Sequence, residues 1–543
     1  MRFAPLALAL LCAAVLFSGL SRIGFVDERE ARDAEVAREL IQRREVLTPL
    51  YAHEPLFEKP VLGYALDVLG RWLDPRTARA SRLVRAFATL GLVLLTASIG
   101  ARHFGTRAGW CAAGVLLSML GLPLASRTDG TQIVASLLGW VGCAGFADAV
   151  FGRPAGRDLR LVTAYGALGA TLVVTGPLAA LWPLAGLALY LRLAGASDGW
   201  RSVRPLAGVA IMIGFALPWY GAMTEIHGRA FLARAPFFPY GVQPSGPWYA
   251  GVLLAVGFLV VGGFPWSVLL PGAALHAATW WRRTRAALPH VPIAEGADPV
   301  SRERREEGAA HFFIACLIAA LVPIAIYPGP PLSAVLPALP AAALLCGRLL
   351  DHLLEDPDRL RASLSYAARM LALFGSVVAI QCAALAPRLG HAAPALRLLG
   401  VVLLITAWAP FLAKLIGRRR VAALFLALPM ALAVPVATMR VLPVIEDYLN
   451  TRSVAEAMNL ASPPRAPLLL IEPAPPSLRV YVRHNLVLAD SLPVALRGYR
   501  AADSESYLAF RPAREREIAR RVRLPLEILE RTPSMVLARV RPE

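Results

Sequence analysis

The chain has almost no lysine. Of its 56 basic residues only Lys59 and Lys414 are lysines, and the rest are arginines. Charge is scarce altogether: Asp, Glu, Lys and Arg make up 17% of 543 residues, against about 25% in soluble domains. Cysteine is scarce too. Cys12, Cys111, Cys143, Cys316, Cys346 and Cys382 all fall in apolar stretches and none follows Asn450. That distribution argues against a disulfide framework and against a cysteine-built metal site. No GxGxxG or P-loop pattern occurs, so no nucleotide-binding loop is expected. Acids are nearly absent from the long apolar runs, with Asp148 near the end of one of them. Ion-coupled transporters place ionisable groups near mid-membrane, so this absence argues against that class.

What is present is apolar. Hydrophobic residues make up 57% of the chain, and bilayer-length runs recur from Leu6 to Leu442. Thirteen spans are expected, at roughly 4–25, 84–101, 108–125, 132–151, 160–175, 177–193, 205–223, 248–271, 310–327, 332–350, 366–386, 396–416 and 420–442. The fold class is a polytopic α-helical membrane protein of about thirteen transmembrane helices with a small α/β C-terminal domain. Residues 1–442 form the transmembrane core, with a first outer loop at 27–83, and 443–543 form the soluble domain. The opening MRFAPLALALLCAAVLFSG reads as an uncleaved first helix rather than a signal peptide. After Asn450 short β-like runs alternate with helical ones, as in a compact α/β unit.

The net charge of +19 does not require a nucleic-acid partner. Arginines cluster in alternate short loops, around Arg102 and Arg107, Arg153 to Arg160, Arg282 to Arg305 and Arg418 to Arg420, while the loops near 175, 328 and 390 are nearly free of them. With the N-terminus in the cytoplasm this is the positive-inside pattern, and the C-terminal domain then lies on the outer face of the membrane. Two regions break the pattern: the first outer loop and residues 71–85. Outer arginines that run against the bias are candidates for binding an anion.

The same topology gathers Asp27, Glu28, Glu30, Glu58, Lys59 and Asp129 on the outer face. Between them, Ala31 to Arg44 carries an apolar stripe of Ala34, Val36, Ala37, Leu40 and Ile41, which predicts an amphipathic helix lying at the membrane interface. A lone lysine between Glu58 and Pro60, in a chain that otherwise uses arginine, suggests a need for a compact ammonium charge. Carboxylates can deprotonate or orient a hydroxyl, while a lysine and arginines can neutralise a phosphate leaving group. A shared divalent cation could do the same work. Together these suit displacement at a sugar carbon of a lipid-linked phosphate. The bland reading is a solvated loop whose acids pair with neighbouring arginines.

The ordered pattern resembles a known group. Arg29-Glu-Ala-Arg-Asp-Ala-Glu-Val-Ala-Arg-Glu-Leu40, Leu47-Thr-Pro49, Leu56-Phe-Glu-Lys-Pro60 with Val61-Leu-Gly-Tyr64, and Leu336-Pro-Ala-Leu-Pro340 are similar to motifs of the bacterial aminoarabinose transferase and protein mannosyltransferase-like membrane glycosyltransferases of type C fold. The resemblance implies a polyprenyl-phosphate-sugar donor and transfer on the periplasmic side. It makes Asp27, Glu30 and Asp129 the catalytic acids, Lys59 and Arg32 the donor-phosphate ligands, and Glu58 the carboxylate open to a divalent metal; no other cofactor is implied. Lipid A, a glycolipid, a glycan or a protein are the acceptors it allows. The pattern departs from the group at Arg29, where the group has an acid, at Asp33, which replaces an aromatic, and at Pro330 and Ala334, which replace a lysine and a tyrosine.

The leading expectation is an integral membrane glycosyltransferase. The alternatives are a non-catalytic protein that binds or translocates a lipid-linked sugar, and a structural subunit of an envelope assembly.

Overall fold

The computed structural model describes residues 4–26, 28–74, 78–152, 156–194, 197–234, 247–273, 275, 299–326, 331–356, 361–461, 468–470, 475–482, 486–488, 506–522 and 526–540. Up to residue 445 the described chain is a bundle of helices, mostly apolar. They are α1 (Ala4–Leu16), α2 (Glu28–Arg43), α3 (Ala65–Leu73), α4 (Ala78–Phe104), α5 (Thr106–Leu117), α6 (Gly121–Thr128), α7 (Gly130–Phe151), α8 (Arg157–Val174), α9 (Pro177–Ala194), α10 (Ser197–Ser202), α11 (Pro205–Arg234), α12 (Trp248–Gly262), α13 (Pro299–Ile326), α14 (Leu339–Glu355), α15 (Arg361–Leu385), α16 (Ala393–Leu415), α17 (Arg419–Phe425) and α18 (Leu428–Val436).

Among the described residues eight helical stretches are long and apolar enough to cross a membrane, or up to ten if each of two bent pairs is one span. This is an integral membrane architecture; one of the eight stretches, Arg361–Leu415, holds both α15 and α16 and so covers two of the thirteen windows read from the sequence. The described part of the first window is helical over Ala4–Leu16. The fifth begins in charge, with Arg157, Asp158 and Arg160 in the opening turn of α8.

Burial separates centre from periphery. The apolar window in Leu332–Glu355 is 89% buried within the protein, whereas that in Pro205–Ala233 is 22% buried. Leu206, Ile213 and Leu217 on α11 are correspondingly exposed, as side chains facing lipid must be. The α5–α6 pair bends by 61°, and α7 starts directly after it. The bend brings the polar run Thr128-Asp129-Gly130-Thr131 to one end of the bundle, beneath the first loop.

That loop is compact. A two-residue hairpin, β1 (Leu50–Tyr51) with β2 (Glu54–Pro55), folds it back, and Phe57 packs in a cluster with Val173, Trp219, Met223 and Phe231. Leu47 O accepts a hydrogen bond from Trp219 Nε1 at 3.0 Å, and Thr48 Oγ1 meets His227 Nε2 at 2.9 Å. The Leu47-Thr-Pro49 and Leu56-to-Pro60 elements are thus docked onto the end of α11.

The interfacial helix is not where the stripe placed it. Helix α2 buries its apolar side, Ala31, Ala34, Val36, Ala37 and Leu40, but also Glu30, Asp33, Glu35 and Glu39. It is covered by α3 on one side and by a C-terminal helix on the other. Buried acids require partners, and each has them: Arg38 binds Glu35, and Glu39 accepts from His53 N at 3.1 Å. The amphipathic helix with an open apolar face is α3 instead. Its Leu69, Trp72 and Leu73 are exposed, while Asp67 and Gly70 are buried. Gly70 is required there, because a Cβ would sit 2.3 Å from Ser81 Cα at the start of α4.

The chain ends in α19 (Glu446–Leu449), α20 (Arg452–Ala461), α21 (Pro476–Tyr481) and α22 (Glu515–Val522), with β3 (Leu468–Leu470), β4 (Leu486–Leu488), β5 (Ser506–Phe510), β6 (Leu526–Arg531) and β7 (Val536–Val540). The sheet order is β4-β3-β5-β7-β6. The β3 strand runs parallel to both neighbours, and β7 runs antiparallel to β5 and β6. Both faces are apolar: Leu468, Leu470, Tyr507 and Leu537 pack on α20 and α21, and Leu508, Phe510 and Val536 pack around Ile518 of α22.

Candidate functional site

Two polar clusters lie where the first loop meets the bundle. The lower one is fully buried. Glu30 Oε1 accepts from Arg82 Nε at 2.8 Å and from Arg85 Nη1 at 3.2 Å. Its Oε2 accepts from Arg82 Nη2 at 2.9 Å and from Val26 N at 2.9 Å. Arg85 also pairs with Asp67 and donates to Arg127 O at 2.9 Å. Arg82 donates to Ile23 O at 2.8 Å and Gly24 O at 2.6 Å. Burial pushes the Asp67 carboxyl above its ordinary range, and the Arg85 guanidinium opposes that shift. Every one of these ions has an opposite charge against it, which is what keeps such a dry cluster tolerable.

The upper cluster borders a small pocket. Helix α2 contributes Arg29, Arg32 and Asp33; the following segment contributes Glu58 and Lys59; the α6–α7 junction contributes Thr128, Asp129, Thr131 and Gln132; Thr175 completes it. Lys59 Nζ donates to Asp33 Oδ2 at 2.7 Å and to Thr131 Oγ1 at 2.7 Å. It stands 4.3 Å above the ring centroid of Tyr64, a cation–π contact that adds a negative surface beneath it. Thr131 Oγ1 donates its own hydrogen bond to Gly63 O at 2.8 Å, so its lone pair is aimed at the lysine. Arg32 grips Glu58 through two bonds of 2.8 Å each, the bidentate fork that suits carboxylate and phosphate alike. Asp129 caps α7, accepting from Gln132 N at 3.0 Å through Oδ1, and accepts from Ser333 Oγ at 2.8 Å through Oδ2. Tyr64 is fully buried, and burial drives its phenol well above the ordinary value, so it remains neutral beneath Lys59.

Of the residues singled out in the sequence, Arg32, Glu58, Lys59 and Asp129 border this one pocket. Glu30 does not: it lies in the lower cluster with both oxygens occupied. Asp27 lies outside the described residues. The arginines at the end of 71–85 are not free to bind an anion, since Arg82 and Arg85 are fully buried and directed at Glu30, Asp67 and main-chain carbonyls.

Sequence reasoning gave no site role to Asp33, Thr131, Ser333 or Tyr64. For Asp33 a signal existed. It sits one position after Arg32 in α2 and departs from the aromatic expected there, and the departure supplies the partner of Lys59. For Ser333 nothing local marks it, since its contact with Asp129 joins residues 204 positions apart. Among the described residues no three His, Cys, Asp or Glu side chains are grouped to hold one, and Glu58 has both oxygens on Arg32.

No family model matches the chain. Among curated proteins, the undecaprenyl phosphate-alpha-4-amino-4-deoxy-L-arabinose arabinosyl transferase of Pectobacterium atrosepticum is 28% identical over 268 residues, covering 45% of this chain and 44% of that protein. The protein of the same name from Pectobacterium carotovorum is 26% identical over 422 residues, covering 72% and 67%. The chain thus spans about half the length of most curated relatives it matches. The crystal structure of ArnT from Cupriavidus metallidurans bound to undecaprenyl phosphate aligns with a TM-score of 0.77 at 18% identity, over 100% of this chain and 99% of that one. Its apo form aligns at 0.76. The resemblance is therefore borne out: the chain is similar in sequence to curated aminoarabinose transferases and shares its fold with a solved one.

Proposed function

We propose that this chain transfers a sugar from a polyprenyl-phosphate-linked donor to an acceptor of lipid A type at the periplasmic face of the inner membrane. The observation that carries the reading is the pocket itself. It pairs Lys59 with Asp33 and Arg32 with Glu58 at the mouth of an apolar bundle, where a lipid-borne phosphate can present its oxygens to both cations while its chain stays in the bilayer.

In the proposed reaction an acceptor oxygen forms a bond to the anomeric carbon as the bond from that carbon to the phosphate oxygen breaks. The electron pair leaves with the polyprenyl phosphate. Lys59 and Arg32 neutralise the charge gathering on the phosphate, the interaction that grows most toward the transition state. A hydroxyl acceptor loses its proton to a carboxylate, for which Asp129 and Asp27 are the candidates. Glu30 leaves the catalytic set in this reading and becomes the counter-ion that fixes α2 above Arg82 and Arg85. Phosphate neutralisation is assigned to side-chain cations rather than to a metal on Glu58.

The arginine pattern supports a cytoplasmic N-terminus, thirteen crossings and a periplasmic C-terminal domain. The name shared by the curated relatives supports undecaprenyl phosphate as the carrier and an amino-sugar as cargo.

The test uses the purified full chain in nanodiscs with undecaprenyl-phosphate-linked sugars and lipid A. Product formation that is lost in Lys59→Ala supports the reading. Binding of undecaprenyl phosphate without turnover, for every donor tried, replaces it with a carrier-binding protein.

A further inference from the structure

The segment that leads into α2 has no regular structure, yet its main-chain polar groups from Ile23 to Val26 are held by side chains drawn from both halves of the protein. From the membrane side Arg82 binds Ile23 O and Gly24 O, and Glu30 binds Val26 N. From the C-terminal side Glu446 Oε1 accepts from Gly24 N at 2.8 Å. The Tyr481 hydroxyl accepts from Phe25 N at 2.9 Å, and Asn450 Nδ2 donates to Phe25 O at 3.0 Å. The rings of Phe25 and Tyr481 pack at a tilt of 43° with centroids 5.3 Å apart. Asn450 Nδ2 also meets Glu446 Oε1 at 3.3 Å, so the three C-terminal residues act as one grip.

The grip leaves no room at its centre. A Cβ on Gly24 would lie 2.4 Å from the Tyr481 hydroxyl and 2.7 Å from Glu446 Oε1. Helix α21, which ends at Tyr481, also packs along α2, the helix that carries Arg32 and Asp33. Unpaired main-chain groups at such a depth are costly, and the six consecutive groups from Ile23 O to Val26 N are all held by side chains.

We propose that Glu446, Asn450 and Tyr481 are positioning residues: the C-terminal unit clamps residues 23–26 and thereby sets the register of α2, holding Arg32 and Asp33 at the pocket. The C-terminal unit is then part of the working site although none of these three residues borders it. The functional half of this inference rests on the transferase reading above; the mechanical half does not.

The experiment takes the full chain in nanodiscs and compares wild type with Glu446→Ala, Glu446→Gln, Tyr481→Phe and Gly24→Ala. Two readouts are taken: hydrogen–deuterium exchange of the α2 amides, and kcat and KM for transfer from an undecaprenyl-phosphate sugar. Glu446→Ala, Tyr481→Phe and Gly24→Ala are expected to speed exchange across α2 while α7 and α14 keep wild-type protection. They are also expected to lower kcat by about tenfold or more, because small misplacements of a catalytic frame act on the rate. Glu446→Gln keeps an oxygen facing Gly24 N and is expected to restore both readouts. Unchanged α2 exchange in all three disruptive variants overturns the clamp whether or not wild type turns over. Faster α2 exchange with wild-type kcat overturns the positioning role. Loss of protection throughout the bundle, with no recovery in Glu446→Gln, makes these residues general supports of the fold and overturns the proposal as well. A wild type that transfers nothing refutes the transferase reading alone, and the exchange data still decide the clamp.

Discussion

Lys59 Nζ sits 2.7 Å from Asp33 Oδ2, joining the tightest motif of the first loop to a residue of α2 that departs from the motif. The pair is sheltered, with side-chain exposures of 17% and 7%, so its attraction is less screened than that of a surface pair. Asp33 holds the ammonium in place and is the anion that an entering phosphate would have to rival.

Lys59→Ala is expected to lower transfer by about 100-fold or more, the scale seen when one charge-stabilising donor is removed. Lys59→Arg is not expected to restore it, because a planar fork cannot occupy the point between Asp33, Thr131 and the Tyr64 ring. Steady-state transfer assays on the two variants check this. Activity of Lys59→Arg near wild type would show that charge alone suffices.

Glu30→Ala is expected to act on stability. It leaves Arg82 and Arg85 buried with too little negative charge, a defect worth about 3–5 kcal/mol. The thermal midpoint in detergent should fall sharply and membrane yield with it. A variant that keeps its midpoint while losing turnover would return Glu30 to the catalytic set.

Asp129 has two duties that one substitution separates. Asn caps a helix about as well as Asp, so Asp129→Asn should leave stability within about 0.5 kcal/mol while lowering transfer by about 100-fold, the lower range for loss of a general base. Asp129→Ala should lose both, with about 1 kcal/mol from the missing cap. Equal activity of Asp129→Asn and wild type would leave Asp129 as a cap only.

Chelation is expected to have no effect. Transfer measured after exhaustive EDTA dialysis should equal that of untreated protein, since Lys59 and Arg32 are assigned the phosphate charge. Loss on dialysis with recovery on adding Mg2+ or Mn2+ would restore the metal role expected for Glu58.

Much of this was legible in the sequence. Apolar runs gave the membrane class, and the FEKP motif with Arg32 and Asp129 gave four residues that border one pocket. What failed shares one cause. The stripe of Ala34, Val36, Ala37 and Leu40 told which side of α2 is apolar, but periodicity cannot tell lipid from protein. The acids on the other side read as solvated until α3 and α21 were seen to cover them. Arg82 and Arg85 read as anion-binding because their partners, Glu30 and Asp67, are 52, 55 and 18 positions away.

The most direct test of the transferase claim is mass spectrometry of undecaprenyl-phosphate sugars and lipid A from cells carrying the wild-type chain, Lys59→Ala, or neither. The expected result is one lipid-linked sugar that accumulates without the protein and in Lys59→Ala, matched by a sugar missing from the acceptor. Identical donor pools and acceptor profiles in all three strains would contradict it.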